Sequence, residues 1–321
     1  MFDVIQADLD LFEPALAAAI VSETALITDV GAHLVSSGGK RLRPALFLLA
    51  AHGGTVFDRA RAMPIAVALE LIHTASLVHD DVIDEADTRR GAATTNAKWG
   101  NQVAILSGDY IFACAFKLVA EAGYDSLVYI KLAQLVCTLS EGEIIQDHTV
   151  YQVPASEDVY YERICKKTAD FLKICCELGA SIGGMSAADT ENMALYGHAI
   201  GMAFQITDDL LDFRQTAEHI GKPAGRDLAQ GYVTLPVIRA LAVLEDAGRA
   251  ELTALITNPK MTEAEIARAL ALVRRTDGLD YAQKKADAYL ERAKRALPET
   301  LDERIRTTCL MAADFIGHRE F

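Results

Sequence analysis

The chain has 321 residues, of which 51% are hydrophobic and 24% charged, and it carries a net charge of −14. This is a globular mixture with material for one large domain or two ordinary ones. The acidic balance argues against nucleic acid and against attraction to an anionic leaflet, because no basic cluster is longer than Lys40-Arg41-Leu42-Arg43.

In chain order, the first informative segment is Gly38-Gly39-Lys40-Arg41-Leu42-Arg43-Pro44. It reads as a glycine pair followed by three cations at a helix start, where Pro44 is tolerated. Glycine lets a backbone approach a ligand, and free N–H groups with Lys and Arg suit an anion; alone, the same residues are an ordinary solvated turn. From Ile65 to Val82 apolar residues recur at three and four without Gly or Pro, which predicts a helix with Pro64 in its first turn. This helix carries Asp80-Asp81-Val82-Ile83-Asp84 and is expected to end at Arg89-Arg90-Gly91. Those two arginines suit a helix C-terminus, or face the same ligand as the carboxylates.

Further helices are expected over 101–121, 126–147, 157–182, 191–213, 234–247, 262–274, 278–296 and 299–316. Ser156 and Thr262 look like N-caps, Glu265 completes a capping box with Thr262, and Pro298 sits as a first-turn proline. Lys167-Thr168 falls inside the 157–182 helix. The 191–213 helix ends in a second acidic cluster, Asp208-Asp209-Leu210-Leu211-Asp212, followed by the loop Gly221-Lys222-Pro223-Ala224-Gly225. Strict alternation is hard to find, so no substantial sheet is expected, and no linker divides the chain. The expected fold is all-α, a single-domain helical bundle spanning 1–321. The six cysteines, Cys114, Cys137, Cys165, Cys175, Cys176 and Cys309, form no CxxC pair or zinc spacing. Most read as small core residues of a reduced, cytoplasmic protein rather than as redox or metal groups. The first basic residue is Lys40, so no secretory signal is read, and no apolar run is read as a membrane span.

Each acidic cluster places three carboxylates in five residues, and positions four apart share a helix face. Like charges at that spacing disfavour the helix, which points to a site that receives multivalent cations. A diphosphate beside carboxylates needs bridging metal. Mg²⁺ usually takes one or two carboxylates together with phosphate oxygens and water, and Lys and Arg would complete the cage. No EF-hand pattern supports calcium, and glycoside hydrolysis would need one acid and one base rather than two triplets.

The segments 38–44, Glu70 to Gly91, Phe204 to Asp212 and Gly221 to Leu228, taken together and in this order, resemble the trans-isoprenyl (polyprenyl) diphosphate synthases. The resemblance runs from about residue 30 to the C-terminus. It implies an isoprenoid synthase bundle around a central elongated cavity, and Mg²⁺-dependent condensation of isopentenyl diphosphate with an allylic diphosphate. By analogy Asp80, Asp84 and Asp208 would ligate Mg²⁺, while Asp81, Asp209 and Asp212 would act less directly. Arg89, Lys167 and Lys222 would hold the allylic diphosphate, and Lys40, Arg43, His73 and Arg90 that of isopentenyl diphosphate. Thr168 and Gln205 resemble groups that aim negative dipoles at the allylic cation.

Residues four and five before Asp80 lie about 6–8 Å along the helix, and here they are Ser76 and Ala75. Short-chain members of the family commonly carry bulky aromatics at this level. Two small residues imply a long-chain product, as in hexaprenyl, heptaprenyl, octaprenyl or solanesyl diphosphate synthases. One departure is Tyr232, in Gly231-Tyr232-Val233-Thr234-Leu235-Pro236, where many relatives carry Lys. It leaves open a catalytic subunit that needs a small regulatory partner. A class I terpene cyclase and a non-catalytic helical scaffold are the remaining alternatives. A homodimer is implied by the resemblance alone.

Overall fold

The computed structural model describes residues 2–153, 156–214 and 224–317. It is all-α as expected: apart from a two-residue antiparallel ladder, Thr88–Arg89 with Ala92–Ala93, the described elements are helical.

The chain forms two compact units. The first holds residues up to Val136, with Ile174–Ala194 and Pro298–Thr308; the second holds Cys137–Lys173, Leu195–Leu297 and the residues from Cys309 onward.

The first unit contains α1 (Gln6–Ala19), α2 (Ala25–Ser36), α3 (Leu42–His52), α4 (Arg59–Ile83), α5 (Thr95–Trp99) and α6 (Asn101–Glu121). The Asp58 carboxylate accepts the N–H of Ala60 and caps α4. From Ile65 to Ile72, α4 is buried on every side, which makes it the core helix of the unit. α6 approaches it closely at Gly108, where a Cβ would fall 2.2 Å from the His79 ring. By length and hydropathy both α4 and α6 could cross a membrane, contrary to the expectation that no run qualifies. For α4 the apolar stretch is largely accounted for by burial within the protein.

The second unit holds the end of α7 (Ser126–Thr149), α8 (Glu157–Ile164), the start of α9 (Asp170–Ile182) and most of α10 (Ala187–Arg214). After these come α11 (Arg226–Ala229), α12 (Leu235–Val243), α13 (Asp246–Ile256), α14 (Glu263–Arg274), α15 (Gly278–Ala296) and the end of α16 (Glu303–Gly317). Its core joins Ile206, Leu210 and Phe213 of α10 to Tyr160 of α8, Leu235 and Val237 of α12, and Ala282 and Ala286 of α15. Ser156 caps α8, and Thr262 with Glu265 forms the expected capping box on α14.

Several local expectations are corrected. Residues 157–182 are not one α-helix: a π-helical turn, Cys165–Ala169, separates α8 from α9. Pro64 is the sixth residue of α4 rather than part of its first turn, and Pro298 lies in the connection before α16. α4 stops at Ile83 with Asp84 as its C-cap, so Arg89 and Arg90 belong to the hairpin that follows it. Cys175, Cys176 and Cys309 are buried, Cys114 and Cys165 are half-buried, and Cys137 is exposed.

Candidate functional site

The first group of expected residues sits around the end of α4. Asp80 and Asp84 are half-buried, whereas Asp81 is buried and accepts Arg89 Nε at 2.7 Å. Helix geometry explains the split, since successive residues point about 100° apart. Burial raises the Asp81 carboxyl above its usual range despite Arg89. Arg43 Nη1 lies 3.0 Å from His73 Nε2. Burial, followed by Arg43, Arg90 and Arg89, pulls the imidazole well below its ordinary pKa, so His73 is neutral and accepts from Arg43.

The glycine pair serves this cluster through its backbone. Gly38 adopts φ +69° and its carbonyl accepts Arg90 Nη1, while a Cβ at Gly39 would lie 2.8 Å from the same guanidinium. Arg90 itself sits at φ +53°, in the turn of the hairpin. Arg41 N-caps α3 at φ +47° and is neutralised by Glu13 at 2.7 Å and Glu70 at 2.9 Å. A recess in this unit is lined by Gly38, Arg41, Glu70, His73, Arg89 and Arg90 among others. Lys40 lies on the exposed turn just before α3. Ala75 is fully buried, and half-buried Ser76 donates its hydroxyl to the His73 carbonyl at 2.9 Å.

The second group lies in the other unit, where α10 meets the π-turn. Thr168 Oγ1 donates to Gln205 Oε1 at 3.0 Å, and Gln205 Nε2 donates to Asp209 at 2.9 Å. The buried Tyr160 hydroxyl also donates to Asp209, at 2.8 Å. Asp209 is therefore enclosed by donors, yet burial pushes its carboxyl up to about 6. Asp208 is exposed. Asp212 accepts the N–H groups of Arg226 and Asp227 at 3.0 and 3.1 Å, so it fixes the start of α11. Burial, then Asp209, Asp212 and Asp208, raises Asp227 well above the normal carboxylate range. Lys167 Nζ pairs with Glu143 at 2.7 Å. Lys222 lies outside the described residues.

Sequence reasoning gave no role to Glu143, Tyr160 or Asp227, and Glu70 passed without one although it opens a segment of the resemblance. Asp227 stands in the Gly221–Leu228 segment and could have been found there; Glu143 and Tyr160 reach their partners only through the fold, 24 and 49 positions away.

The family profile described as polyprenyl synthetase matches residues 24–273. The chain belongs to the polyprenyl synthetase family. It is a prenyltransferase. Among polyprenyl synthetases it is 40% identical over 321 residues to heptaprenyl diphosphate synthase component 2 of Geobacillus stearothermophilus, covering 100% of this chain and 98% of that one. Its fold matches a decaprenyl diphosphate synthase from Rhodobacter capsulatus with TM-score 0.91 at 34% identity, over 99% of this chain and 98% of that one. It matches equally, at 0.91 and 33% identity, the polyprenyl synthase of Caulobacter crescentus CB15 in complex with calcium and isoprenyl diphosphate, over 99% and 96% of the two chains.

The carboxylates, taken within each unit, are of a kind that suits a hard divalent cation. Asp80 and Asp84 share one face of α4 as half-buried carboxylates, and Asp208 is an exposed carboxylate on α10. Oxygen donors of this kind fit Mg²⁺.

Proposed function

We propose that the chain is a long-chain trans-polyprenyl diphosphate synthase, condensing isopentenyl diphosphate head-to-tail with an allylic diphosphate within one synthase domain. The observation that carries this reading is the division of labour on α4. Asp81 is buried against Arg89, while Asp80 and Asp84 are left half-buried on the face a cation would meet. Asp80, Asp84 and Asp208 would hold Mg²⁺, which when bound supplies Lewis-acid stabilisation to the departing diphosphate.

The protein's own groups do the rest. Arg89, Lys167 and Lys222 would bind the allylic diphosphate. Lys40, Arg43, neutral His73 and Arg90 would orient isopentenyl diphosphate, so that its double bond attacks C1 of the allylic cation. The oxygens of Thr168 and Gln205 present negative dipoles to that cation. The released diphosphate takes the proton lost from C2 of the isopentenyl unit, which regenerates an allylic diphosphate one isoprene unit longer, and Ala75 and Ser76 leave space for the growing tail.

A second reading is favoured by the 40% identity to a protein named component 2 of a heptaprenyl synthase. In it, this chain is the catalytic half of a two-component enzyme. We further propose a homodimer, or such an assembly, in the cytoplasm.

The test is a product assay on the purified chain with Mg²⁺, labelled isopentenyl diphosphate and, separately, dimethylallyl, geranyl and farnesyl diphosphates. Long products lost on chelation support the first reading. No product from folded protein moves the weight to the two-component reading, and short products alone overturn the long-chain assignment.

A further inference from the structure

The π-turn between α8 and α9 has a consequence outside the diphosphate chemistry. In an α-helix, residues five apart point roughly 140° away from each other. Here the N–H of Asp170 bonds to the carbonyl of Cys165, an i→i+5 link that widens the turn and stacks the two residues. Both then face His198 of α10. Cys165 Sγ lies 3.4 Å from His198 Nε2, and one ligand atom each from Cys165, Asp170 and His198 lie within 4.8 Å of one another. Atoms bound to one tetrahedral zinc sit about 3.5 Å apart, given the usual Zn–S and Zn–N lengths. All three residues are half-buried, so an ion can reach them from solvent. α10 is held close to this turn at Gly201, where a Cβ would fall 2.5 Å from Ala169 Cα.

We propose that Cys165, Asp170 and His198 bind a borderline transition-metal ion, Zn²⁺ being the best match, at a site separate from the Mg²⁺ carboxylates. A thiolate, an imidazole and a carboxylate select zinc over magnesium, and three protein ligands leave a fourth position for water. The ion displaces the thiol proton to solvent, and thiolate with carboxylate balances its two charges. Burial lowers the pKa of His198, which keeps the imidazole in its ligating, neutral form. Lys173 and Arg292 oppose the cation, and Asp170 offsets them. The bound ion staples the turn carrying Lys167 and Thr168 to α10.

The experiment uses the full chain in excess Mg²⁺ and reads binding, not turnover. Added Co²⁺ should give a thiolate-to-cobalt charge-transfer band that saturates at one ion per chain and is displaced by Zn²⁺. The band should vanish in Cys165→Ser, and Zn²⁺ affinity should fall about tenfold or more in His198→Ala and Asp170→Asn. In the unsubstituted protein, Zn²⁺ should slow alkylation of Cys165 but not of exposed Cys137, a measurement that needs no variant to fold. A band that persists in Cys165→Ser, no band in the unsubstituted chain, or equal alkylation of Cys165 with and without Zn²⁺ would each overturn the site.

Discussion

Lys167 Nζ and Glu143 form an ion pair at 2.7 Å, with both side chains more than two-thirds shielded from solvent. Glu143 also accepts Gln146 Nε2 at 3.1 Å, and the same amide reaches the Tyr232 hydroxyl at 3.4 Å. Tyr232 is thus linked, through Gln146, to the partner of Lys167. On the proposed reading Lys167 must leave Glu143 to meet the allylic diphosphate.

Breaking a pair of this kind costs about 1 kcal/mol, or about fivefold in affinity. Glu143→Gln should therefore lower KM for farnesyl diphosphate about fivefold, while Lys167→Ala raises it tenfold or more on the order-of-magnitude scale of a lost charged contact. Steady-state kinetics decides it. A higher KM in Glu143→Gln would mean that Glu143 orients Lys167 rather than competing for it.

The carboxylates of the two clusters should separate into functional and structural groups. Asp80→Ala should abolish condensation by about a hundredfold or more while leaving Tm near that of the parent. Asp212→Ala removes the acceptor that caps α11 and should cost about 1 kcal/mol of stability. Asp81→Asn should lose part of its hold on Arg89 and show an intermediate loss of activity. Thermal melts run beside the activity assay test the division, and an Asp80→Ala protein that melts early would defeat it.

The element plan was legible because helical periodicity and capping chemistry are local: α6, the capping box at Thr262 and the span Gly278–Ala296 follow from near neighbours. The π-turn was not, because its apolar spacing reads as an uninterrupted helix. It is the Thr168–Gln205 bond and the tight contact at Gly201, both long-range, that accompany the extra width. The end of α4 at Ile83 departs from the sequence expectation for a related reason. Arg89 and Arg90 suit a helix terminus by charge, but the positive φ at Glu85 and Arg90 places them in a hairpin. Of the candidate site, residue types and faces were readable, whereas the partners that hold them, Glu143 for Lys167 and Tyr160 for Asp209, were not.

Asp209 gives the metal-free protein a signed pH dependence. Burial moves its carboxyl from 3.8 to about 6 in the fold. A carboxyl raised on folding contributes its full stability below its unfolded value and loses it as pH climbs through the folded one. Between about pH 4 and pH 6 this amounts to on the order of 2–3 kcal/mol. Asp227, raised in the same direction, adds to the fall. In EDTA, urea denaturation should show stability declining across this window, and Asp209→Asn should flatten the decline. An unchanged slope in that variant would assign the effect elsewhere.

Product length should depend on which side of α4 carries an obstruction, and Ala75 and Ser76 lie on different sides. Ala75 has no exposed surface, so a phenylalanine there displaces neighbours and costs about 1–3 kcal/mol by overpacking. Ser76 is half-buried and shares a helix face with Asp80 and Asp84. Ser76→Phe should shorten the product by several isoprene units with little change in Tm, whereas Ala75→Phe should shorten it and lower Tm together. Chromatography of dephosphorylated products, with melting curves on the same preparations, reads both. If Ser76→Phe makes the parental product and only Ala75→Phe shortens it, the tail follows the buried side of α4 rather than the face of the aspartates. If neither changes product length, the proposed role of these two residues fails while the condensation chemistry stands.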